Sequence, residues 1–135
     1  MAKRDKPLVR PLSPFWQYQF WPNMFLSILH RITGVAMSVG AVLLVYWLTA
    51  AAMGADRYVA AQSFFAHWFA QVALIGFLFS FCYHFLNGIR HLVWDTGRGF
   101  DVSTAHRSGY VVIVGAIIAT ALLVLLFFAR AGGAV

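Results

Sequence analysis

The sequence predicts an all-α integral membrane protein, with three transmembrane helices preceded by an N-terminal interfacial segment. Three observations predict it. Hydrophobic residues fill 61% of the 135 positions and charged residues 10%, at a mean hydropathy of +0.76. Soluble domains average roughly 45–50% apolar, and a short one needs a charged exterior because most of its residues lie near its surface. Charge is absent between Arg31 and Asp56, between Arg57 and Arg90, and between Arg107 and Arg130, stretches of 24, 32 and 22 residues. A spanning helix needs about 20 residues at 1.5 Å rise. The remaining charges fall in the N-terminal tail, at the ends of those stretches and in the segments between them, as the positive-inside rule describes.

The elements follow in order. Before the first span, Phe15-Trp16-Gln17-Tyr18-Gln19-Phe20-Trp21-Pro22 is dense in aromatics. Trp and Tyr favour the bilayer interface because one end is apolar and the other wants water. The segment reads as an anchor along the cytoplasmic face, with a tethered tail as the other reading. Pro22 suits the first turn of the helix that follows. The spans are placed near residues 30–53, 64–92 and 108–129, in one membrane-anchor domain over 1–135. The first apolar run starts some thirty residues in and exceeds the 7–15 residues typical of a signal-peptide core. A retained span is therefore expected.

Topology comes from the flanks. The tail carries Lys3, Arg4, Lys6 and Arg10 against Asp5, and Arg31 follows at the start of the span. Asp56 and Arg57 cancel in the first connection, while the second holds Arg90, Arg98 and Arg107 against Asp95 and Asp101. Three spans put the tail and the second connection on one side, both basic, which is the cytoplasmic side. The net charge of +6 forms no single patch or stripe, so nucleic-acid binding is not expected. Cys82 is the sole cysteine, which excludes a disulfide framework and a cysteine-based metal cluster within the chain. Inside an apolar span it reads as a small hydrophobe.

Two clusters could carry chemistry. On a helix, Ser27, His30, Arg31 and Gly34 fall at i, i+3, i+4 and i+7, on one face. Charged residues entering a membrane tend to face a partner, a cavity or a functional site, although an arginine at a helix end also snorkels to phosphates. The hydroxyl and imidazole on the same face favour a polar site. The second cluster is Tyr83 to Asp95. His84, Gly88 and His91 share a face, and running back by fours adds Ser80 and Gly76. This is a strip of small residues with one imidazole projecting from it.

Such a strip admits a neighbouring helix or a flat macrocycle, and a neutral imidazole is a good ligand for haem iron. Taken alone, His84 reads as interhelical glue sooner than as a ligand. Antiparallel spans bring Ser27–Arg31 and Arg90–Asp95 to the same cytoplasmic surface, with His84 about 9 Å deeper than Arg90 at helical rise. A haem at that depth would meet His30, Arg31 and His91 with its propionates, and arginine suits carboxylates. No second axial ligand stands at that depth. His30 and His91 sit at the surface level and His106 in the second connection, while His67 is roughly 25 Å away along the helix. A six-coordinate haem would take its other ligand from another polypeptide.

At these clusters the sequence resembles the cytochrome b subunit family of succinate dehydrogenase (succinate:quinone oxidoreductase). The family's first hallmark, Ser-x-x-His-Arg-x-Ser/Thr-Gly, is matched by Ser27, His30, Arg31, Thr33 and Gly34. The second, His-x-x-x-Gly-x-Arg-His-x-x-x-Asp-x-Gly, is matched by His84, Gly88, Arg90, His91, Asp95 and Gly97. Arg10-Pro11-Leu12-Ser13-Pro14 is similar to the family's opening, after which Phe15-Trp16 departs from its pattern. The resemblance covers essentially the whole chain.

The resemblance implies that His84 is the haem b axial ligand given by this subunit, and that a second small membrane-anchor subunit gives the other. It implies that His30, Arg31 and His91 surround the propionates, and that Ser27 and Arg31 line a ubiquinone site near the iron–sulfur subunit. Electrons would pass from succinate through a flavoprotein subunit and the iron–sulfur subunit to ubiquinone. The implied location is the bacterial inner (plasma) membrane, N-terminus cytoplasmic, with the mitochondrial inner membrane as the alternative. Two other classes compete. A purely structural anchor would use the same residues for packing and docking. A small transporter subunit would show repeats and midplane polar residues, and the third span offers only Thr120.

Overall fold

The computed structural model describes residues 23–132, as four helices joined by short connections. They are α1 (Asn23–Ala52), α2 (Ala55–Ala66), α3 (Trp68–Asp95) and α4 (Val102–Gly132). Three of them, α1, α3 and α4, are long and apolar enough to cross a membrane. Among the described residues there is no strand, and the chain is an all-α membrane protein with three spans. The interfacial segment read at residues 15–22 lies outside the described residues.

The helix ends differ from the sequence reading in an instructive way. The sequence places the first connection between spans ending near residue 53 and starting near residue 64. In the structure α2 fills it, and α3 starts at Trp68. Gly54 separates α1 from α2 at φ 108°, a conformation that costs glycine little. Asp56 then sits in the first turn of α2, where a carboxylate complements the helix dipole. His67 alone breaks α2 from α3, with ψ at 140° and its N–H on the Phe64 carbonyl at 3.3 Å. No charge, proline or glycine marks that break, so two helices read as one apolar run. At the other end α3 reaches Asp95, where Gly97 (φ 79°) closes the helix on the Trp94 carbonyl at 2.8 Å. The last helix starts at Val102 rather than near 108.

The spans pack with α3 in the middle, against α1 on one side and α4 on the other; α1 and α4 touch only slightly. The core is small. Leu26, Cys82, Tyr83, Val112 and Ala116 are buried, with Leu29, Leu78, Phe79, Leu86, Ile113 and Ala119 packed around them. Most other large apolar side chains point outward, Val42 at 68% and Phe127 at 68% exposure among them. In water that would be a severe aggregation hazard. In lipid, tails are as apolar as leucine, so outward-facing valines and phenylalanines cost nothing and helices associate through close fit and polar contacts. The fit is visible where α1 meets α4: a Cβ at Gly109 would collide with the Leu26 side chain.

The polar contacts concentrate at one end of α3. Arg90 is 7% exposed and reaches four neutral acceptors on three helices. Its Nε donates to Ser108 Oγ at 2.9 Å and its Nη1 to Asn87 Oδ1 at 3.4 Å. Nη2 donates to Asn23 Oδ1 at 3.2 Å and to the Ala105 carbonyl at 2.9 Å. Its Cζ lies 4.0 Å from the centre of the Trp94 ring, whose N–H holds the Gly99 carbonyl at 3.1 Å. One residue thus joins the start of α1, the end of α3 and the start of α4. Tyr83, two turns deeper and fully buried, donates its hydroxyl to the Leu26 carbonyl at 2.8 Å. Arg90→Leu should strand several of these acceptors and destabilise the helix bundle by roughly 2–4 kcal/mol, given 0.5–1.5 kcal/mol per bond and the cost of orphaned groups. Arg90→Lys should recover little, because one ammonium cannot serve the same fork. Thermal denaturation of the detergent-purified complex checks both.

Candidate functional site

The two clusters read from sequence meet in space. His30 on α1 and His84 on α3 stack face to face, ring centroids 3.9 Å apart and planes 15° from parallel. His91, two turns along α3, stands 5.3 Å from His30 and 5.2 Å from Trp94, edge-on to that indole. All three imidazoles are half-buried. They form a row from the depth of His84 to the end of α3.

The close approach of α1 and α3 has a local cause. A Cβ at Gly34 would come within 3.2 Å of His84 Cε1, so glycine there lets the imidazole lie on the α1 backbone. His84 Nδ1 then sits 3.2 Å from the His30 carbonyl and 3.3 Å from Thr33 Oγ1. A carbonyl only accepts, so Nδ1 carries the proton and Nε2 keeps its lone pair. No group among the described residues hydrogen-bonds to that Nε2.

Whether these residues suit a haem is testable on this geometry. A ligating histidine ordinarily donates its second ring N–H to a carbonyl or carboxylate, which fixes its tautomer and aims the free nitrogen. His84 has that arrangement. A Cβ at Gly88 or at Gly76 would meet nothing within 4 Å, so the small-residue strip of α3 is open at these two positions among the described residues, while Ser80 between them is buried. Beside it, His30 Nδ1 is buried without a hydrogen-bond partner, a capacity left unmet among the described residues. A donor-ready imidazole, an open strip and an unsatisfied polar nitrogen fit a flat macrocycle with polar edges.

The remaining predicted residues sit at the rim. Ser27 and Arg31 are exposed on α1, one turn apart, and neither makes a side-chain hydrogen bond among the described residues. They are free to face a ligand, a partner or lipid phosphate. His106 is in the first turns of α4 rather than in a connection, and His67 lies at the opposite end of α3. Neither approaches the cluster. Among the described residues no group of three or more His, Cys, Asp or Glu could hold a metal ion directly. An apolar cavity of ≈ 860 Å³ lies between α1, α2 and α3, lined by Gly40, Trp47, Phe65, Phe77 and neighbours, with Gln62 and Ser80 its polar members. Gly76 and Ser80 put its edge on the same α3 strip as His84, one turn and more toward the other end of that helix.

Sequence reasoning missed two residues here. Arg90 was read as a flank charge, yet it is the most connected polar group in the bundle. The signal was available: Tyr83, Asn87 and Arg90 fall at i, i+4 and i+7, a second polar face rotated about 100° from His84, Gly88 and His91. Thr33 was read only as a motif position, and the structure buries it at 3% exposure against His84.

The model of the family described as succinate dehydrogenase/fumarate reductase transmembrane subunit matches residues 6–123. The chain is 36% identical over 120 residues to a succinate dehydrogenase cytochrome b556 subunit of Paracoccus denitrificans, covering 88% of this chain and 92% of that one. It is 39% identical over 115 residues to the protein of the same description in Rickettsia prowazekii, covering 84% and 90%. A mitochondrial succinate dehydrogenase cytochrome b560 subunit of Bos taurus is 34% identical over 123 residues, covering 82% and 68%. With three spans and a family match over nearly its whole length, the chain belongs to the succinate dehydrogenase/fumarate reductase transmembrane subunits.

Proposed function

We propose that this chain is the cytochrome b membrane anchor of a succinate dehydrogenase, holding haem b through His84 and lining a ubiquinone site with Ser27 and Arg31. The observation that carries the reading is the held His84 ring: Nδ1–H faces the His30 carbonyl at 3.2 Å, and Nε2 has no protein partner among the described residues. The relatives' descriptions as cytochrome b556 and b560 subunits support a haem of the b type. His30 stacks on the His84 ring at 3.9 Å instead of facing its free Nε2 across a gap, so the iron's remaining ligand would come from a second small membrane-anchor subunit.

Each residue has a defined task. His84 would hold the iron through its Nε2 lone pair, its ring oriented through Nδ1–H. His30, Arg31 and His91 would hold the propionates, with Arg31 the cation where the macrocycle would meet water. The haem, when bound, supplies a one-electron carrier within the membrane. Ser27 donates a hydroxyl proton in a hydrogen bond to a quinone carbonyl, and Arg31 stabilises the negative charge that builds on that oxygen as electrons arrive. Both side chains are exposed at the end of α1, in reach of a soluble neighbour. That neighbour is the iron–sulfur subunit, itself fed by a flavoprotein subunit that oxidises succinate.

The membrane is a bacterial inner membrane with the N-terminus in the cytoplasm. The basic flanks at Arg31, Arg98 and Arg107 support that orientation, and the Paracoccus and Rickettsia relatives support a bacterial setting.

Two experiments test the assignments. His84→Leu should abolish the low-spin b-type signal in the reduced-minus-oxidised spectrum of the purified complex while the subunits stay together. An unchanged spectrum and haem content would instead favour a purely structural anchor, in which His30 and His84 stack only as packing. Ser27→Ala and Arg31→Ala should each lower succinate–ubiquinone reductase turnover by roughly 10²-fold or more, the scale of losing one charge-stabilising donor. Succinate oxidation by an artificial soluble acceptor should be unaffected. Normal quinone turnover in an intact complex would refute the quinone assignment.

A further inference from the structure

The structure gives Thr33 a task that its place in a sequence motif does not. The residue is 3% exposed, beside Gly34, where a Cβ would come within 3.2 Å of His84 Cε1. The hydroxyl lies 2.9 Å from the Leu29 carbonyl and 3.0 Å from the His30 carbonyl. A hydroxyl has one proton and two lone pairs. Donating that proton to its own helix fixes the rotor and leaves the oxygen's lone pairs turned to the neighbour. That neighbour is His84 Nδ1, 3.3 Å away.

His84 Nδ1–H is thus shared between two acceptors on α1, the His30 carbonyl at 3.2 Å and the Thr33 hydroxyl at 3.3 Å. Both contacts are long, and neither alone would hold an imidazole against rotation about its Cβ–Cγ bond. Together they define the plane and tautomer of the ring. The His30 carbonyl cannot be altered by a side-chain substitution, but Thr33 can.

We propose that Thr33 is the positioning residue for His84. Its back-bonded hydroxyl accepts from Nδ1–H, locks the tautomer that exposes Nε2, and raises the electron-donating power of the imidazole toward iron. The inference rests on the reading of His84 as the haem ligand. It predicts a role for a hydroxyl, which separates it from packing. A stronger acceptor at Nδ1 makes imidazole a better donor and stabilises the oxidised iron, so losing the hydroxyl raises the midpoint potential.

The test uses the whole purified complex with Thr33→Val, Thr33→Ala and Thr33→Ser, and His84→Leu in parallel. Three readouts are taken: haem retained per complex during detergent purification, the low-spin electron paramagnetic resonance signal of the oxidised haem, and its midpoint potential. Val keeps the volume and Ala removes it, yet both lack the hydroxyl. Each should lower apparent haem affinity by about tenfold to a hundredfold, the usual cost of removing such a partner, shift the resonance and raise the potential. Ser should behave as wild type. Wild-type signals in Val and Ala overturn the proposal. So does a shift in Ser as large as that in Val, and so does failure of both hydroxyl-free variants to assemble, since a positioning role leaves the helices packed. If His84→Leu itself keeps the haem signals, the parent reading has failed; if it loses them while the Thr33 variants match wild type, only the positioning role has.

Discussion

A polar group carried into hydrocarbon must find its partner inside the protein, and α3 is where this chain meets that constraint. With lipid as solvent there is little hydrophobic drive to press helices together. The three spans therefore cohere through close fit at small residues and a few hydrogen bonds that cross between them. Nearly all of the crossing bonds start on α3: Tyr83 to the Leu26 carbonyl, His84 to the His30 carbonyl, and Arg90 to Asn23, Ala105 and Ser108. The central position of α3 between α1 and α4 follows from that distribution.

The helix uses two faces for two purposes. Tyr83, Asn87 and Arg90 turn inward and are buried. They tie the ends of three helices together near one membrane surface. His84, Gly88 and His91 lie one residue further round, half-buried, and meet α1 through the His30–His84 stack with its hydrogen bonds and through the tilted His30–His91 contact. Beyond that stack the strip is open at Gly76 and Gly88. A rigid polar clamp beside an open strip suits a site that must stay fixed while holding a flat group. The clamp keeps the α1–α3 spacing, and the spacing keeps the imidazole pair.

The clamp has a further consequence. Arg90 is satisfied by neutral acceptors alone, so its charge remains uncompensated within the described bundle. It adds to the cationic end already made by Arg31, Arg98 and Arg107. Positive potential at that end favours anionic groups. The opposite end, with α2, Trp47, Tyr58 and Trp68, is aromatic and nearly neutral. Trp47 and Tyr58 meet at 5.9 Å between ring centroids, the kind of amphipathic pair that settles at a membrane interface.

The sequence by itself determined the solvent, the number of spans and the level of the polar cluster. Charge-free stretches and basic flanks are local properties, and helical periodicity alone puts His84, Gly88 and His91 on one face. It did not reveal α2, because the break at His67 is a backbone turn with no charge, glycine or proline to announce it. Nor did it reveal that Arg90 is buried, since an arginine at a helix end usually snorkels and only the neighbouring helices decide otherwise. The tautomer of His84 was also out of reach. It depends on a carbonyl and a hydroxyl of α1, brought to Nδ1 from more than fifty residues away. Periodicity fixes which side of a helix a residue takes, while the partner across the interface is fixed only when two helices pack.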